Sequence, residues 1–319
     1  MTSEPLLHPL SVAAARQIAR DIYLFELRDR QGAALAEFTA GAHLSVQVPI
    51  GVLRKYSLCN DPAERDRYVI AVKREEQGRG GSLSLVDGIR AGDTLQASAP
   101  RNDFALHPRA NSFIFIAGGI GITPILSMVR HVQSSGRGRF RLYYFTRDPG
   151  STAFIDELGA PEFHGKVRIH HDGGDAANAF DLWPVLERPS GTHVYCCGPR
   201  GLMDSVRDMS GHWPGGSIHF ESFGPSAAVN RQNTPFTVHL AKSGLTVAVA
   251  AESTILEAVR AAGVRVPSSC ENGTCGSCKT VLISGRAEHR DLVLAEEERG
   301  NRIMVCCSRA VSAELVLDL

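Results

Sequence analysis

The sequence predicts a multidomain chain of three textures: an antiparallel β-barrel, an α/β domain with a parallel sheet, and a small α+β domain. Three observations carry this. Short, partly alternating apolar runs separated by Gly, Asp and Pro fill residues 1–108. From Asn111 the runs become continuously apolar and alternate with helical spacing. A polar, aperiodic stretch, "PSAAVNRQNT", then separates off a last segment that begins near Pro235.

In the first segment "DIYLFELRD", "HLSVQVP", "RYVIAVKR" and "DTLQASAP" read as strands. In the second, "SFIFIAGG" is a buried strand. The "ITPILSMVRHV" that follows puts Ile125, Met128, Val129 and Val132 on one helical face, with Pro124 at the helix start. "FRLYYFT" and "HVYCCGP" repeat the strand-to-helix pattern. In the third, "FTVHLAKSGLTVAVA" predicts a hairpin turning at Ser243-Gly244. "TILEAVRAAG" predicts a short helix with Thr254 and Glu257 as a capping box and Gly263 as its stop. The expected boundaries are 1–108, 109–225, a linker at 226–234, and 235–319.

Composition narrows the function classes. Lys plus Arg and Asp plus Glu are 34 each, so net charge is zero and no broad nucleic-acid or polybasic membrane face is expected. "MTSEPLLHPLSV" lacks a basic region followed by an apolar run. The most apolar stretch, 113–129, is broken by glycines and a proline, whereas a membrane span needs about 20 largely apolar residues. A cytoplasmic protein is expected. The eight cysteines (Cys59, Cys196, Cys197, Cys270, Cys275, Cys278, Cys306 and Cys307) do not resemble a secreted disulfide framework.

Cys270, Cys275 and Cys278 form C-x4-C-x2-C, with Cys306 a further 28 residues on. That is the spacing of a plant-type [2Fe–2S] site. Three thiolates wrapping a small anionic rhomb require a tight loop, which Gly273 and Gly276 permit, and amide N–H groups turned toward sulfur. A zinc site usually has two Cys knuckles, and this stretch has one. "MVCCSR" offers both Cys306 and Cys307 as the fourth ligand. If "RIMVCCS" is a strand, only one of them faces the cluster.

"AGGIGITP" joins a buried strand to a helix, where Gly118, Gly119 and Gly121 let a phosphate approach the helix N-terminus; a tight structural turn is the plainer alternative. Cys197 of "YCCGP" falls at the carboxyl end of a parallel strand, where open α/β sheets bind ligands, and Cys196 reads as a core residue. In the first domain Arg54 suits a phosphate, Tyr56 an aromatic ring and Ser57 a hydrogen bond, while "GRGGS" offers amides to an anion. The same residues also suit a solvated basic edge and a flexible turn.

Together "RKYSLCND", "AVKR…GRGGS", "AGGIGITP", "YYFTRDP", "YCCGP", "HFESFG" and "CENGTCGSCKT…HRD…IMVC" resemble the phthalate dioxygenase reductase family over essentially the whole chain. The resemblance implies a flavin barrel, a nicotinamide domain and a C-terminal β-grasp ferredoxin. It implies FMN held by Arg54, Lys55, Tyr56 and Ser57, by the strand Ala71, Val72 and Lys73, and by the turn Gly80, Gly81 and Ser82. Thr123 and Phe223 would border the flavin, and Ser57, Cys197 and Phe223 would form the catalytic face. Cys270, Cys275, Cys278 and Cys306 would bind iron, and NADH would be the donor. Arg147 can meet a 2′-phosphate, while Asp148 beside it disfavours one.

A hydride carries two electrons and a cluster accepts one, so a flavin belongs between them. The implied function is electron delivery from NADH to a separate Rieske non-haem iron oxygenase acting on an aromatic ring, since no Rieske C-x-H pair occurs here. The implied chain is monomeric as isolated. A reductase for a related Rieske monooxygenase or demethylase, a stand-alone NADH diaphorase and a non-enzymatic metal-binding protein are the alternatives.

Overall fold

The computed structural model describes residues 5–223 and 233–319, which fall into two compact units, Met1–His219 and Phe220–Leu319. The expected linker, 226–234, lies for the most part outside the described residues.

The first unit opens with six strands, β1 (Leu7–Ala19), β2 (Ile22–Asp29), β3 (His43–Gln47), β4 (Leu53–Ser57), β5 (Tyr68–Lys73) and β6 (Thr94–Ser98), in the order β4-β3-β6-β1-β2-β5. The paired strands are antiparallel, and a bridge from Leu58 to Ile70 joins the two edges, so the sheet closes into a barrel. Period-two alternation fills it: Phe25, Leu27, Leu44, Val46, Ile70, Val72, Leu95 and Ala97 share one core. β5 is apolar from Tyr68 to Val72 because its other face, Val69 and Ala71, belongs to a second core shared with the parallel sheet. Helix α1 (Gly81–Gly88) follows β5.

That sheet comprises β7 (Ser112–Gly118), β8 (Arg139–Thr146), β9 (Val167–His171), β10 (His193–Cys197) and β11 (Ile218–Glu221), ordered β11-β10-β7-β8-β9. β7 pairs in parallel with β8 on one side and β10 on the other, so the topological switch point lies at the carboxyl ends of β7 and β10. Its helices are α2 (Ile122–Ser135), two short ones, α3 (Ile155–Leu158) and α4 (Trp183–Leu186), and α5 (Arg200–Met209). The buried face of α2 holds Ile125, Met128, Val129 and Val132, the residues its spacing selects.

The second unit carries β12 (Phe236–Leu240), β13 (Leu245–Val249), α6 (Ile255–Ala261), β14 (Lys279–Ser284), β15 (Ala287–Glu288), β16 (Arg302–Met304), β17 (Arg309–Ala310) and β18 (Glu314–Leu317). Its main sheet is β13-β12-β18-β14-β16, and β15 pairs with β17. Gly244 turns the hairpin at φ 68°. Thr254 Oγ1 accepts from the Glu257 amide at 3.0 Å, and Glu257 Oε2 accepts from the Thr254 amide at 2.8 Å, closing the capping box of α6.

The condition set for separating Cys306 from Cys307 is not met: "RIMVCCS" is not a continuous strand, because β16 ends at Met304 and its carbonyl accepts from the amides of both Cys307 (3.2 Å) and Ser308 (3.0 Å). The chain turns through the two cysteines, so strand alternation does not separate them. No helix among the described residues is long and apolar enough to cross a membrane.

Candidate functional site

The register of β3 and β4 sets Val46 opposite Arg54, Leu44 opposite Tyr56, Ser45 opposite Lys55 and His43 opposite Ser57. Arg54 and Tyr56 therefore share one face, Lys55 and Ser57 the other. The Arg54 side chain crosses the start of α1. A Cβ on Gly81 would sit 2.7 Å from its Nε and 3.0 Å from its Cγ, so only glycine lets the guanidinium lie there. Gly80 caps α1 at φ 76°, and the amides of that first turn have no intrahelical acceptor. Arginine and helix N-terminus together suit a phosphate.

The Ser82 hydroxyl accepts from the Glu75 amide at 3.1 Å, so it ties the loop after β5 to α1. Lys73 pairs with Glu75 at 3.1 Å on the surface. Val72 packs inside the barrel, so only its backbone is left to meet a ligand, while Ala71 lies in the core shared with the parallel sheet. Burial pushes the Tyr56 phenol up to about 12 against the lowering influence of Arg54, which keeps it a neutral donor. Ser57 is buried, 4% exposed, and its Oγ has no hydrogen-bond partner among the described residues. His43, opposite it, is equally buried and its Nε2 is equally unpartnered. Leaving such a group unpaired costs about 1–3 kcal/mol, which marks both atoms as candidates for a ligand. Sequence reasoning missed His43: one histidine at the head of a strand carries no signal until the register is known.

At the switch point the three glycines divide their work. A Cβ on Gly118 would lie 2.6 Å from Pro199 Cδ, and one on Gly121 would lie 2.2 Å from the Cys197 carbonyl oxygen. Those two let the turns after β7 and β10 interlock. Gly119, at φ 53°, has nothing within 4 Å of its Cβ position, so its outer side stays open. Thr123 is buried in the first turn of α2 and donates to the Ile120 carbonyl at 3.1 Å. Cys197 ends β10 opposite Ala117, fully buried, and burial raises the thiol of its neighbour Cys196. Asp148 accepts from the Ser151 amide at 3.0 Å and pairs with Arg20 at 2.9 Å, so its carboxylate is already engaged. Arg147 lies exposed along Gly174, its Cδ 3.7 Å from the Cβ position there. Phe223 belongs to the second unit and is 46% exposed.

In the cysteine loop the Thr274 amide donates to Cys270 Sγ and the Cys270 amide to Cys275 Sγ, both at 3.4 Å, and Ser277 Oγ lies 3.0 Å from Cys275 Sγ. Gly273 and Gly276 take φ 85° and 82°, the turns that aim these amides inward. Glu271, a non-glycine at φ 58°, is held by Arg260 at 2.8 Å and by the Ser268 hydroxyl at 2.7 Å. Cys270 neighbours Cys275, and Cys306 neighbours both Cys278 and Cys307. Among the described residues no three His, Cys, Asp or Glu side chains form a single-ion site. Four thiols gathered at one loop, with backbone amides turned toward sulfur, suit the thiolate ligation of a two-iron cluster, so these residues fit the group. Cys307 packs behind the loop: its Sγ would touch a Cβ on Gly273 at 2.6 Å and lies 3.8 Å from the Met304 carbonyl. The acidic run before it is partly neutralised, Glu298 by Lys279 at 2.7 Å and Glu296 by Arg299 at 3.1 Å.

Three family models match in sequence: an oxidoreductase FAD-binding domain over residues 9–106, an oxidoreductase NAD-binding domain over 115–208, and a 2Fe-2S iron-sulfur cluster binding domain over 238–311. Phthalate dioxygenase reductase of Burkholderia cepacia is 60% identical over 311 residues, 97% of each chain. The phthalate 4,5-dioxygenase oxygenase reductase subunit of Pseudomonas putida is 58% identical, covering 97% of this chain and 96% of that one. A solved phthalate dioxygenase reductase, described as a modular structure for electron transfer from pyridine nucleotides to [2Fe-2S], superposes with TM-score 0.72 at 59% identity over 98% of both chains.

Proposed function

Since the chain belongs to the phthalate dioxygenase reductase family, we propose that it feeds a Rieske non-haem iron oxygenase that attacks an aromatic ring of the phthalate class. Its role as the NADH-dependent reductase component of an oxygenase system, working through a flavin and a [2Fe–2S] cluster, follows from that membership. The Rieske partner, FMN as the flavin, a monomeric state and a cytoplasmic site are our reading, as are domains at 1–108, 109–225 and 235–319 joined by 226–234.

When bound, the flavin takes a hydride from NADH and gives up electrons singly, and the cluster passes them on. The residues supply placement. Arg54 and the amides at Gly80, Gly81 and Ser82 hold the flavin phosphate, and FMN as the flavin is implied by the family resemblance. Lys55, Tyr56, Ser57 and the strand Ala71, Val72 and Lys73 border the ring, with Thr123. Gly119 receives the nicotinamide-nucleotide phosphates at the interlocked turns of Gly118 and Gly121, and Cys197 closes the end of β10. Cys270, Cys275, Cys278 and Cys306 would hold the [2Fe–2S] cluster.

The observation that carries this reading is the cysteine loop itself, where the Thr274 and Cys270 amides donate to Cys270 and Cys275 Sγ around the turns at Gly273 and Gly276. Its test is reconstitution with a purified Rieske aromatic-ring oxygenase. Substrate-dependent NADH consumption matched by hydroxylated product supports the reading; rapid dye reduction with no product from any such oxygenase favours a stand-alone diaphorase.

A further inference from the structure

Among the described residues three that are not glycine take a left-handed backbone: Asp21, Phe154 and Glu271. Asp21 turns between β1 and β2, and Phe154 opens α3. Glu271 lies inside the cysteine loop, directly after Cys270, at φ 58°. Gly273 and Gly276 reach such angles without a Cβ, whereas a glutamate does so against a steric penalty, and strain of that kind persists only where the surroundings enforce it.

The enforcing group stands on α6. Arg260, in the last turn of that helix, donates from Nη1 to Glu271 Oε1 at 2.8 Å and from Nη2 to the Ser268 hydroxyl. Ser268 Oγ donates in turn to the same Glu271 oxygen at 2.7 Å, so the three side chains close a ring of hydrogen bonds. Its base is rigid. Ile255, Leu256 and Val259 of α6 are buried in the core of the second unit, and Thr254 and Glu257 cap the helix start. The Arg260 and Glu271 side chains are 30% and 48% exposed, so as an ion pair alone the contact adds little to stability. Its significance is positional.

Cys270 is the sulfur beside it. The Thr274 amide donates to Cys270 Sγ at 3.4 Å, and the Asn272 amide, in the peptide plane that follows Glu271, neighbours the same atom. A left-handed residue within a turn aims successive N–H groups into one concavity that suits a negative atom. Hydrogen bonds to the sulfurs help set the potential of an iron–sulfur cluster, because they favour its more negative, reduced form.

We propose that Arg260 is a positioning residue of the cysteine loop: with Ser268 it grips the Glu271 carboxylate, holds Glu271 left-handed, keeps the Asn272 amide on Cys270 Sγ, and so raises the reduction potential of the cluster. This rests on the reading of Cys270 as an iron ligand. Arg260 acts through the backbone angle of Glu271 and not through its own charge, and the two routes can be told apart.

The test is potentiometric titration of the full chain, loaded with flavin and cluster, with the reduced cluster followed by electron paramagnetic resonance and cluster content measured as iron and sulfide. Glu271→Ala and Glu271→Gly remove the same charge and the same anchor, and differ only in the Cβ. Glycine sits at φ 58° unaided and alanine does not. The alanine variant should therefore have the lower potential, its reduction about tenfold less favourable than in the glycine variant, which is about 59 mV for one electron. Arg260→Ala in the otherwise unchanged chain should lower the potential likewise. In the Glu271→Gly chain, Arg260→Ala should leave the potential where Glu271→Gly alone puts it. If Arg260→Ala assembles too little cluster to titrate, the double variant should recover the content. Equal potentials for the two variants at 271, an Arg260→Ala shift as large in the Glu271→Gly chain as in the unchanged one, or a loss of cluster that the double variant does not recover overturns the clamp and leaves the ligand assignment standing. Full cluster content at the wild-type potential in Cys270→Ser overturns the ligand assignment and the clamp with it.

Discussion

The cysteine loop of the second unit and the β4 edge of the barrel reach their chemistry by different routes. In the loop, three of the four metal-binding candidates lie within nine residues, and the amides aimed at sulfur come from the same stretch. At β4 the groups come from separate places: Arg54 and Ser57 from one strand, His43 from its neighbour, and the phosphate-facing amides from α1. A contiguous site depends on backbone angles, and a cross-strand site depends on register. Damage to the first should act through loop geometry, and damage to the second through single side chains.

The largest effect is expected at the loop. Cys275→Ser should abolish cluster absorbance and the reduced-state electron paramagnetic resonance (EPR) signal while the flavin bands stay; full cluster content would contradict the ligand assignment. Next come the two glycines. Gly273→Ala meets both an αL penalty of about 1–2 kcal/mol and the Cys307 sulfur at 2.6 Å, whereas Gly276→Ala meets Val293 at 3.4 Å and the angle alone. Cluster yield on iron–sulfide reconstitution should fall further for Gly273→Ala, and Cys307→Ala should recover part of it. Equal yields for the two glycine variants would break the geometric account.

At the barrel, Arg54→Ala should weaken flavin retention by about 1.5–3 kcal/mol, ten- to a hundredfold in Kd, the worth of a charge-assisted phosphate contact. Fluorescence titration of the apoprotein reads this directly, and acid release followed by chromatography should give FMN; recovery of FAD as the main species would overturn FMN as the flavin. A smaller loss is expected remote from both sites. Thr254→Ala removes the α6 cap at a cost of about 1 kcal/mol, visible as a few degrees in the melting of the second unit and neutral for flavin content. Smallest of all, Cys307→Ser should leave the cluster spectrum unchanged, and loss of cluster there would move the fourth ligand from Cys306 to Cys307.

The same contrast explains what the sequence made legible. The C-x4-C-x2-C spacing, the Thr254/Glu257 box and the Ser243-Gly244 turn are local patterns, and local physics realises them. The β5 run that reads as simply apolar turned out to face two cores, which composition alone cannot divide. β16 stops at Met304 because a turn satisfies its carbonyl there, and no periodicity in "RIMVCCS" announces that turn. Gly118 and Gly121 read as phosphate-approach glycines, yet their missing side chains admit Pro199 and the Cys197 carbonyl; only Gly119 opens outward. His43 stayed invisible because its significance is its opposite number on another strand.

The central claim is that electrons pass from NADH through the flavin to a cluster held by Cys270, Cys275, Cys278 and Cys306. Freeze-quench EPR of the intact protein after anaerobic mixing with NADH tests it most directly, with the flavin bleaching followed in parallel. The account predicts that bleaching is followed by the signal of one reduced [2Fe–2S] cluster per chain, and that the signal is absent from Cys275→Ser. A flavin that bleaches fully while no cluster signal appears in the wild-type chain would contradict it.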